Sequence, residues 1–203
     1  MKLYNSIGPN PHVVRMFMAE KGITLPTQEV NLVAGENRQE DHLKRNPHGQ
    51  MPTLELDNGA FLSEITAICE YLEDKNPTPA LIGTTAEEKA ETRMWTRRVD
   101  LNICEPLAAG FRYGEGEKLF QGRIVTVPEA SAGLKRVAQD RLKWLDGQLA
   151  GKQFLCGNRF TLADVLLFCF LAFGASVGQP INPDCKNVVA WFDRVKARPS
   201  AKA

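Results

Sequence analysis

The sequence lacks several features that mark common classes of protein. Its 25 lysine and arginine residues nearly balance its 24 aspartate and glutamate residues, which gives a net charge of +1. Because surfaces that bind nucleic acid or anionic membranes carry excess positive charge, neither partner is expected. The longest apolar run, residues 165–173, is far shorter than the ~20 residues that cross a bilayer. No membrane-spanning segment is therefore expected either.

Paired cysteines are also missing. The chain has five cysteines, an odd number, and no CxxC spacing. This argues against a disulfide framework and against a zinc site, so reduced thiols and no bound metal are expected. Residues 1–5 show no apolar stretch of the kind that begins a secretory signal. A cytoplasmic location is the expectation.

The first part of the chain alternates between strand and helix patterns. Residues 2–6 predict a strand, residues 7–11 a loop rich in proline, and residues 12–21 a buried helix. Val30 and Leu32 predict a second strand, parallel to the first. A weak helix or turn at 37–44 follows, then a hairpin at 54–62 around Asp57-Asn58-Gly59 and a helix at 65–72. The βαβαββα order predicts a thioredoxin-like domain over residues 1–78.

The second part of the chain carries only helical patterns. A proline-rich segment, residues 76–83, predicts the domain boundary, and residues 86–203 predict an all-helical bundle. A long helix at 87–111 should be kinked by Pro106. Thr161 and Asp164 have the spacing of a capping box before an apolar helix that is expected at the centre of the bundle. The predicted fold class is α/β plus all-α.

The stretch from Gln50 to Ile68 predicts a binding site. Pro52 opens a strand, a position that tolerates a cis peptide bond, which would turn the N–H and C=O of Met51 outward as a clamp for an extended peptide. Ser63 is a candidate N-cap for the following helix. The free amides of that helix start and the carboxylate of Glu64 suit the two ends of a small zwitterion. Together they predict a pocket for a short anionic peptide.

Four motifs give the chain a resemblance to a known family along almost its whole length. They are Lys2-Leu3-Tyr4 with Arg15 and Ala19-Glu20-Lys21-Gly22, then Asn46-Pro47-x-Gly49-Gln50-x-Pro52, then Ser63-Glu64-Ile65-x-Ala67-Ile68, and Thr161-Leu162-Ala163-Asp164. In this order and spacing, the chain resembles the cytosolic glutathione S-transferases of bacterial type. The resemblance implies a homodimer, glutathione as co-substrate, and attack of the glutathione thiolate on a small electrophile.

The resemblance also implies roles for individual residues. Met51 and Pro52 match the backbone clamp on the cysteinyl unit of glutathione, and Glu64 and Ile65 match the γ-glutamyl site. Many relatives have serine where this chain has Ile65, so one hydroxyl contact is missing, a loss of about 1 kcal/mol. Gln50 and His48 lie where side chains approach the rest of the tripeptide, whereas His12 and His42 are interpreted as surface residues.

The residue that activates the glutathione thiol is not the usual one. Asn10 falls where bacterial relatives carry cysteine, and Pro9 falls where other classes carry serine. A thiol with a pKa near ~8.5 needs hydrogen bonds or a helix start to ionise. We expect Asn10, through its side chain or its backbone amide, to be the thiolate donor, with Ser6 second. Tyr4 is expected to pack in the core.

Three residues near the end of the long helix, Phe111, Arg112 and Tyr113, are expected to line the site of the electrophile. The leading hypothesis is a transferase for small hydrophobic electrophiles, with glutathione-dependent peroxidase activity as a related reaction. An alternative is a non-catalytic glutathione-binding or regulatory protein of the same fold. Glutathione-disulfide reductase chemistry would need a cysteine near residue 10, and the sequence has none there.

Overall fold

The computed structural model describes residues 1–203. The chain divides into two compact units, Met1–Ala80 with Lys202–Ala203, and Leu81–Ala201. The domain limits inferred from the sequence, 1–78 and 86–203, remain a prediction. The elements of the first unit are β1 (Lys2–Asn5), α1 (Pro9–Lys21), β2 (Thr27–Glu29), a 3-10 turn (Glu36–Arg38), α2 (Glu40–Leu43), β3 (Thr53–Glu55), β4 (Phe61–Leu62) and α3 (Ile65–Lys75).

A four-stranded sheet organises the first unit, in the order β2-β1-β3-β4. β1 pairs in parallel with β2 and antiparallel with β3, and β3 pairs antiparallel with β4. The parallel pair needs a crossover connection, which α1 supplies. α1 and α3 contact each other and fully bury Val13, Phe17, Ile68 and Leu72. This confirms the predicted thioredoxin-like order.

The second strand lies earlier than predicted. β2 spans Thr27–Glu29, whereas the sequence pattern placed a strand at Val30 and Leu32. The Val30 N–H still donates to β1, but the chain then turns because Asn31 Oδ1 accepts a hydrogen bond from the Ala34 N–H at 3.0 Å. Asparagine favours such local bonds to the backbone over a sheet ladder. The apolar alternation of Val30 and Leu32 therefore lies in a turn after the strand, and not in the strand itself.

The second unit is entirely helical. Its elements are α4 (Ala86–Val99), a π-turn (Asp100–Cys104), α5 (Glu105–Arg112), α6 (Glu117–Phe120), a 3-10 turn (Pro128–Ala130), α7 (Ser131–Leu149), α8 (Leu162–Ser176), α9 (Lys186–Lys196) and a final 3-10 turn (Pro199–Lys202). The long helix is interrupted by the π-turn just before Pro106, the residue at which a kink is predicted. Pro106 has no N–H to donate, and its ring crowds the carbonyl four residues earlier, so the helix widens there.

The helix α8 forms the centre of this unit. Residues 162–171 are all buried, as predicted for the middle helix of a bundle. The predicted capping box is confirmed, because the Thr161 side chain accepts a hydrogen bond from the Asp164 backbone N–H and Asp164 Oδ2 accepts one from the Thr161 N–H at 3.0 Å. Asp164 Oδ2 also accepts from the Thr161 hydroxyl at 3.1 Å. Asp164 Oδ1 also accepts from the Leu155 N–H at 3.0 Å and from the Trp191 indole N–H at 2.8 Å. One buried carboxyl group thus joins α8, the preceding loop and α9.

All five cysteines are buried free thiols, as expected from the lack of paired spacing. Burial raises the pKa of the thiols of Cys104, Cys156 and Cys185 above the ordinary value. No three side chains of histidine, cysteine, aspartate or glutamate come together in a way that could hold a metal ion. None of the helices combines the length and the apolar character needed to cross a membrane.

Candidate functional site

An open cleft lies in the first unit, where α1 and α3 begin and the chain enters β3. Its empty volume is about 270 Å³. The residues that line it are Asn10, Asn46, Gln50, Met51, Pro52, Glu64 and Ile65. All of them except Asn46 belong to the residues that the sequence analysis proposes for ligand binding or thiol activation. The fold therefore brings most of the predicted first-domain site residues to one place.

The Met51 backbone is available at this cleft. The Met51–Pro52 peptide bond is cis, and β3 begins one residue later, at Thr53, which is paired with Tyr4. Neither the N–H nor the C=O of Met51 has a hydrogen-bond partner within the protein. The Met51 side chain is held in place by packing with Tyr4 and Val30. The two backbone groups can therefore pair with a second extended chain.

The start of α3 is uncapped. The prediction that Ser63 caps this helix is wrong, because Glu64 occupies the cap position and no side chain accepts a hydrogen bond from the first turn. The amides of Ile65 and Thr66 have no partner in the protein. Free amides at a helix start carry partial positive charge and favour an anion such as a carboxylate. A ligand carboxylate can take the place that a capping side chain leaves open.

Glu64 has an unusual backbone conformation, with φ 70° and ψ 117°. It is the one non-glycine residue of the chain with a positive φ. Such a conformation costs an L-residue about 1–3 kcal/mol and persists mainly where a ligand site requires it. Nothing in the local sequence indicated this conformation. The exposed Glu64 carboxylate is also the only acidic group that lines the cleft.

Asn10 lies in the first turn of α1. The helix begins at Pro9, inside the segment that the sequence predicted as a loop, because proline fits the first turn without losing a hydrogen bond. Pro9 and Pro11 have no N–H, so Asn10 supplies the only backbone donor among the first three helical residues. No side chain caps this end, and the Asn10 side-chain amide makes no hydrogen bond in the protein. Asn10 thus offers two free donors to the cleft.

Ser6, the second candidate for thiol activation, does not reach the cleft. Its side chain is buried, and its hydroxyl donates to the Val30 carbonyl at 2.7 Å. Its own carbonyl accepts a hydrogen bond from Arg15 at 3.2 Å. Because its hydroxyl proton is already used within the sheet region, the structure argues against Ser6 as a donor to a ligand sulfur. This corrects the expectation from the sequence.

The loop before Met51 contributes unequally to the cleft. Gln50 lines it, whereas His48 is exposed and is not among the lining residues. Asn46, which the sequence analysis did not select as a site residue, borders the cleft and donates to the Gln50 carbonyl at 2.9 Å. Its signal in the sequence is weak, since an asparagine before proline usually marks a turn. His42, interpreted as a surface residue, is only 2% exposed, and its burial lowers the ring pKa.

Gly49 permits this loop to pack closely. It has φ 60°, and a Cβ built on it would lie 2.9 Å from the Asn37 carbonyl oxygen and 3.1 Å from Arg38 Cδ. Gly49→Ala should therefore lower the free energy of unfolding by about 2 kcal/mol, through both the unfavourable φ and the clash. Urea unfolding measures this. Gly59→Ala is the matched control, because Gly59 has φ 81° but open space around it; equal losses would contradict the role of the clash.

The three residues expected to contact the electrophile lie in the second unit. Phe111 packs edge-on against Phe173 and Phe120, with ring centroids 5.0 Å and 6.3 Å away. Arg112 bonds Glu105 at 2.6 Å, and Tyr113 follows the end of α5. Phe111, Arg112 and Tyr113 are each half-buried. Their assignment to a substrate remains a prediction.

The fold and the cleft define a class of protein: a thioredoxin-like domain with a candidate peptide cleft, followed by a helical domain. The family model of the glutathione S-transferase N-terminal domain matches residues 1–74, and that of the C-terminal domain matches residues 127–199. Glutathione S-transferase 2 of Saccharomyces cerevisiae is 31% identical over 202 residues, which cover 96% of this chain and 84% of the yeast protein.

Solved structures agree with the sequence matches. The crystal structure of a glutathione S-transferase domain-containing protein from Marinobacter aquaeolei is 34% identical, with a TM-score of 0.92 over 98% of this chain and 99% of that one. Gtt2 from Saccharomyces cerevisiae is 30% identical, with a TM-score of 0.93 over 100% and 99%. The chain belongs to the glutathione S-transferase family and is a transferase.

Proposed function

We propose that the protein conjugates the glutathione thiolate to small hydrophobic electrophiles, as a cytoplasmic homodimer with a role in detoxification. The observation that carries the proposal is the combination, in one cleft, of a free Met51 backbone, two uncapped helix starts and one carboxylate. A cleft of this kind suits a short peptide that has both an ammonium and carboxylate groups. Glutathione has these groups and an extended backbone.

Each part of glutathione has a complementary group in the proposal. The N–H and C=O of Met51 pair with the backbone of the cysteinyl unit. The γ-glutamyl carboxylate accepts hydrogen bonds from the free amides at Ile65, and its ammonium pairs with Glu64. Gln50 and His48 are proposed to contact the remaining part of the tripeptide. Ile65 contributes only its amide, since it has no hydroxyl.

The sulfur of the cysteinyl unit is proposed to lie near Asn10. The two free donors of Asn10 and the positive end of α1 favour the thiolate over the thiol, and so lower the pKa of the bound thiol. The thiolate attacks an electrophilic carbon, a carbon–sulfur bond forms, and the leaving group departs with its electron pair. Phe111, Arg112 and Tyr113 are proposed to border the electrophile.

A peroxidase reaction would use the same thiolate. Attack on a hydroperoxide oxygen releases the alcohol and leaves the glutathione sulfur as a sulfenic acid. A second glutathione then displaces water and forms glutathione disulfide. This reaction makes no demand on the cysteines of the protein, which are all buried.

Calorimetric titration with glutathione, followed by assays with chlorodinitrobenzene and cumene hydroperoxide, tests the proposal. Saturable binding with turnover of either substrate is the expected result. The absence of saturation at millimolar glutathione would remove the proposal. Saturable binding without turnover on any electrophile would favour the non-catalytic alternative.

Asn10→Ala is expected to lower kcat/KM for chlorodinitrobenzene about tenfold, because one of two donors to the thiolate is lost while the backbone amide remains. The pKa of the bound thiol, followed by thiolate absorbance, should rise in the same variant. Asn10→Ser, which restores a donor, should recover part of the activity. A larger loss of kcat/KM in Ser6→Ala than in Asn10→Ala, with folding intact, would instead identify Ser6 as the donor to the thiolate.

A further inference from the structure

Three consecutive carbonyl groups immediately before Met51 are held by side chains from the preceding segment. The His48 carbonyl accepts from Arg38 Nη1 at 3.1 Å, and the Gly49 carbonyl accepts from Asn37 Nδ2 at 2.6 Å. The Gln50 carbonyl accepts from Asn46 Nδ2 at 2.9 Å and lies 3.4 Å from His42 Nε2. The conformation of residues 48–50 therefore depends on side chains of residues 37–46.

Two of these donors, Asn37 and His42, are buried and are not among the residues that line the cleft. Asn37 is 4% exposed and His42 is 2% exposed. Asn37 Oδ1 and His42 Nδ1 have no hydrogen-bond partner. Burying a polar side chain is unfavourable unless it is hydrogen-bonded, so the burial of both residues is offset mainly by their contacts with the loop.

The chemistry of the loop also fixes the form of the His42 ring. A carbonyl oxygen can only accept a hydrogen bond, so Nε2 must carry the proton that faces Gln50. Nδ1 is then an unprotonated acceptor without a partner. Because a buried charged ring without a partner at Nδ1 is unfavourable, the contact favours the neutral ring with its proton on Nε2. The position of the ring proton can be measured by spectroscopy, and a histidine that only fills space would have no fixed position for it.

We propose that Asn37 and His42 are positioning residues, which hold residues 48–50 so that the free N–H and C=O of Met51 are aligned for the peptide backbone of glutathione. The inference rests on the proposed function. Both residues act through the loop and touch no reacting atom. Their effect should fall on glutathione binding, whereas ionisation of the thiol is assigned to Asn10 on α1.

Four variants test this. His42→Leu removes the ring donor, whereas His42→Gln keeps an N–H donor at about the distance of Nε2. Asn37→Asp places a carboxylate oxygen against the Gly49 carbonyl without changing the side-chain shape. Asn102→Asp is the matched control, because the Asn102 amide also donates to a backbone carbonyl, at 2.8 Å, but is exposed and lies in the second unit.

The expected result is a KM for glutathione raised about five- to tenfold in His42→Leu and Asn37→Asp, with kcat at saturating glutathione within about twofold. His42→Gln and Asn102→Asp should keep the wild-type KM. An unchanged KM in His42→Leu and Asn37→Asp, or an equal loss in His42→Gln and His42→Leu, would overturn the proposal.

A second measurement needs no ligand and separates this inference from the proposed function. Nitrogen chemical shifts should report the proton of His42 on Nε2, and nitrogen relaxation should report greater mobility of residues 48–51 in His42→Leu and Asn37→Asp than in the wild type. A wild-type protein that fails to bind glutathione would remove only the proposed function. Unchanged mobility of residues 48–51 in both variants would remove the positioning role.

Discussion

Replacing Asp164 by alanine should lower the free energy of unfolding by about 4 kcal/mol. Four buried donors would lose this acceptor: the backbone N–H groups of Leu155 and Thr161, the Thr161 hydroxyl and the indole N–H of Trp191. Each unpaired donor costs about 1–3 kcal/mol, and the buried site gives them no access to water. Urea unfolding followed by circular dichroism measures the loss.

Asp146→Ala is the matched control for this substitution. Asp146 also caps a helix start, since it accepts a hydrogen bond from the Val188 N–H at 2.9 Å, but it is only half-buried. Water can replace the lost acceptor there, so we expect a loss of about 1 kcal/mol. Equal losses in the two variants would mean that the buried network around Asp164 contributes no more than an ordinary cap.

The pH dependence of stability gives a second measurement on Asp164. Burial raises its pKa from 3.8 to about 6, although the four donors around it act in the opposite direction. Between these values the folded protein keeps a proton that the unfolded chain has lost, so stability falls as the pH rises. The contribution of Asp164 is complete below pH 3.8, and about 3 kcal/mol of it is lost once the pH has passed the folded pKa.

Asp164→Asn isolates this contribution, because an amide does not titrate and the other carboxylates are unchanged. The stability of the wild type relative to this variant should fall as the pH is raised from 3.8 to about 6. A difference that stays constant over this window would show that Asp164 has the same pKa in the folded and unfolded states.

Glu64→Gln is expected to raise the KM for glutathione about ten- to hundredfold, the largest effect on binding. The substitution removes the charge that is proposed to pair with the ligand ammonium and keeps the side-chain shape. Charge-assisted hydrogen bonds contribute about 1.5–3 kcal/mol. Titration calorimetry and steady-state kinetics measure the change. The free energy of unfolding should stay the same, because the backbone conformation of the residue is unaffected.

Glu64→Gly separates the charge from the backbone. Glycine adopts a positive φ without steric cost, so this variant should be about 1 kcal/mol more stable than the wild type, yet bind glutathione as poorly as Glu64→Gln. A variant less stable than the wild type would indicate that the conformation at φ 70° is not strained. Wild-type binding in both variants would remove Glu64 from the ligand site.

Most of the fold and the framework of the cleft could be predicted because their signals are local. Pro52 before an alternating run indicates a strand start, and Thr161 with Asp164 indicates a helix start whatever surrounds them. Apolar periodicity is enough to predict the helical second unit. These signals depend on neighbours within a few residues, which a single sequence contains.

The parts that could not be predicted depend on contacts between distant segments. His42, interpreted from the sequence as a surface residue, is buried with its ring against the Gln50 carbonyl, eight residues further along the chain. Ser6 looked available until the turn after β2 brought the Val30 carbonyl to its hydroxyl. The positive φ of Glu64 could not be predicted from the residue type, because glutamate rarely adopts a positive φ.

The burial of every cysteine has a consequence for the proposed reaction with thiol-reactive molecules. An electrophile delivered to the sulfur of a bound tripeptide could equally alkylate an exposed cysteine of the enzyme. Here the five sulfur atoms are shielded, and the thiols of Cys104, Cys156 and Cys185 are held in their unreactive, protonated form. The protein should therefore resist inactivation by its own substrates over many turnovers.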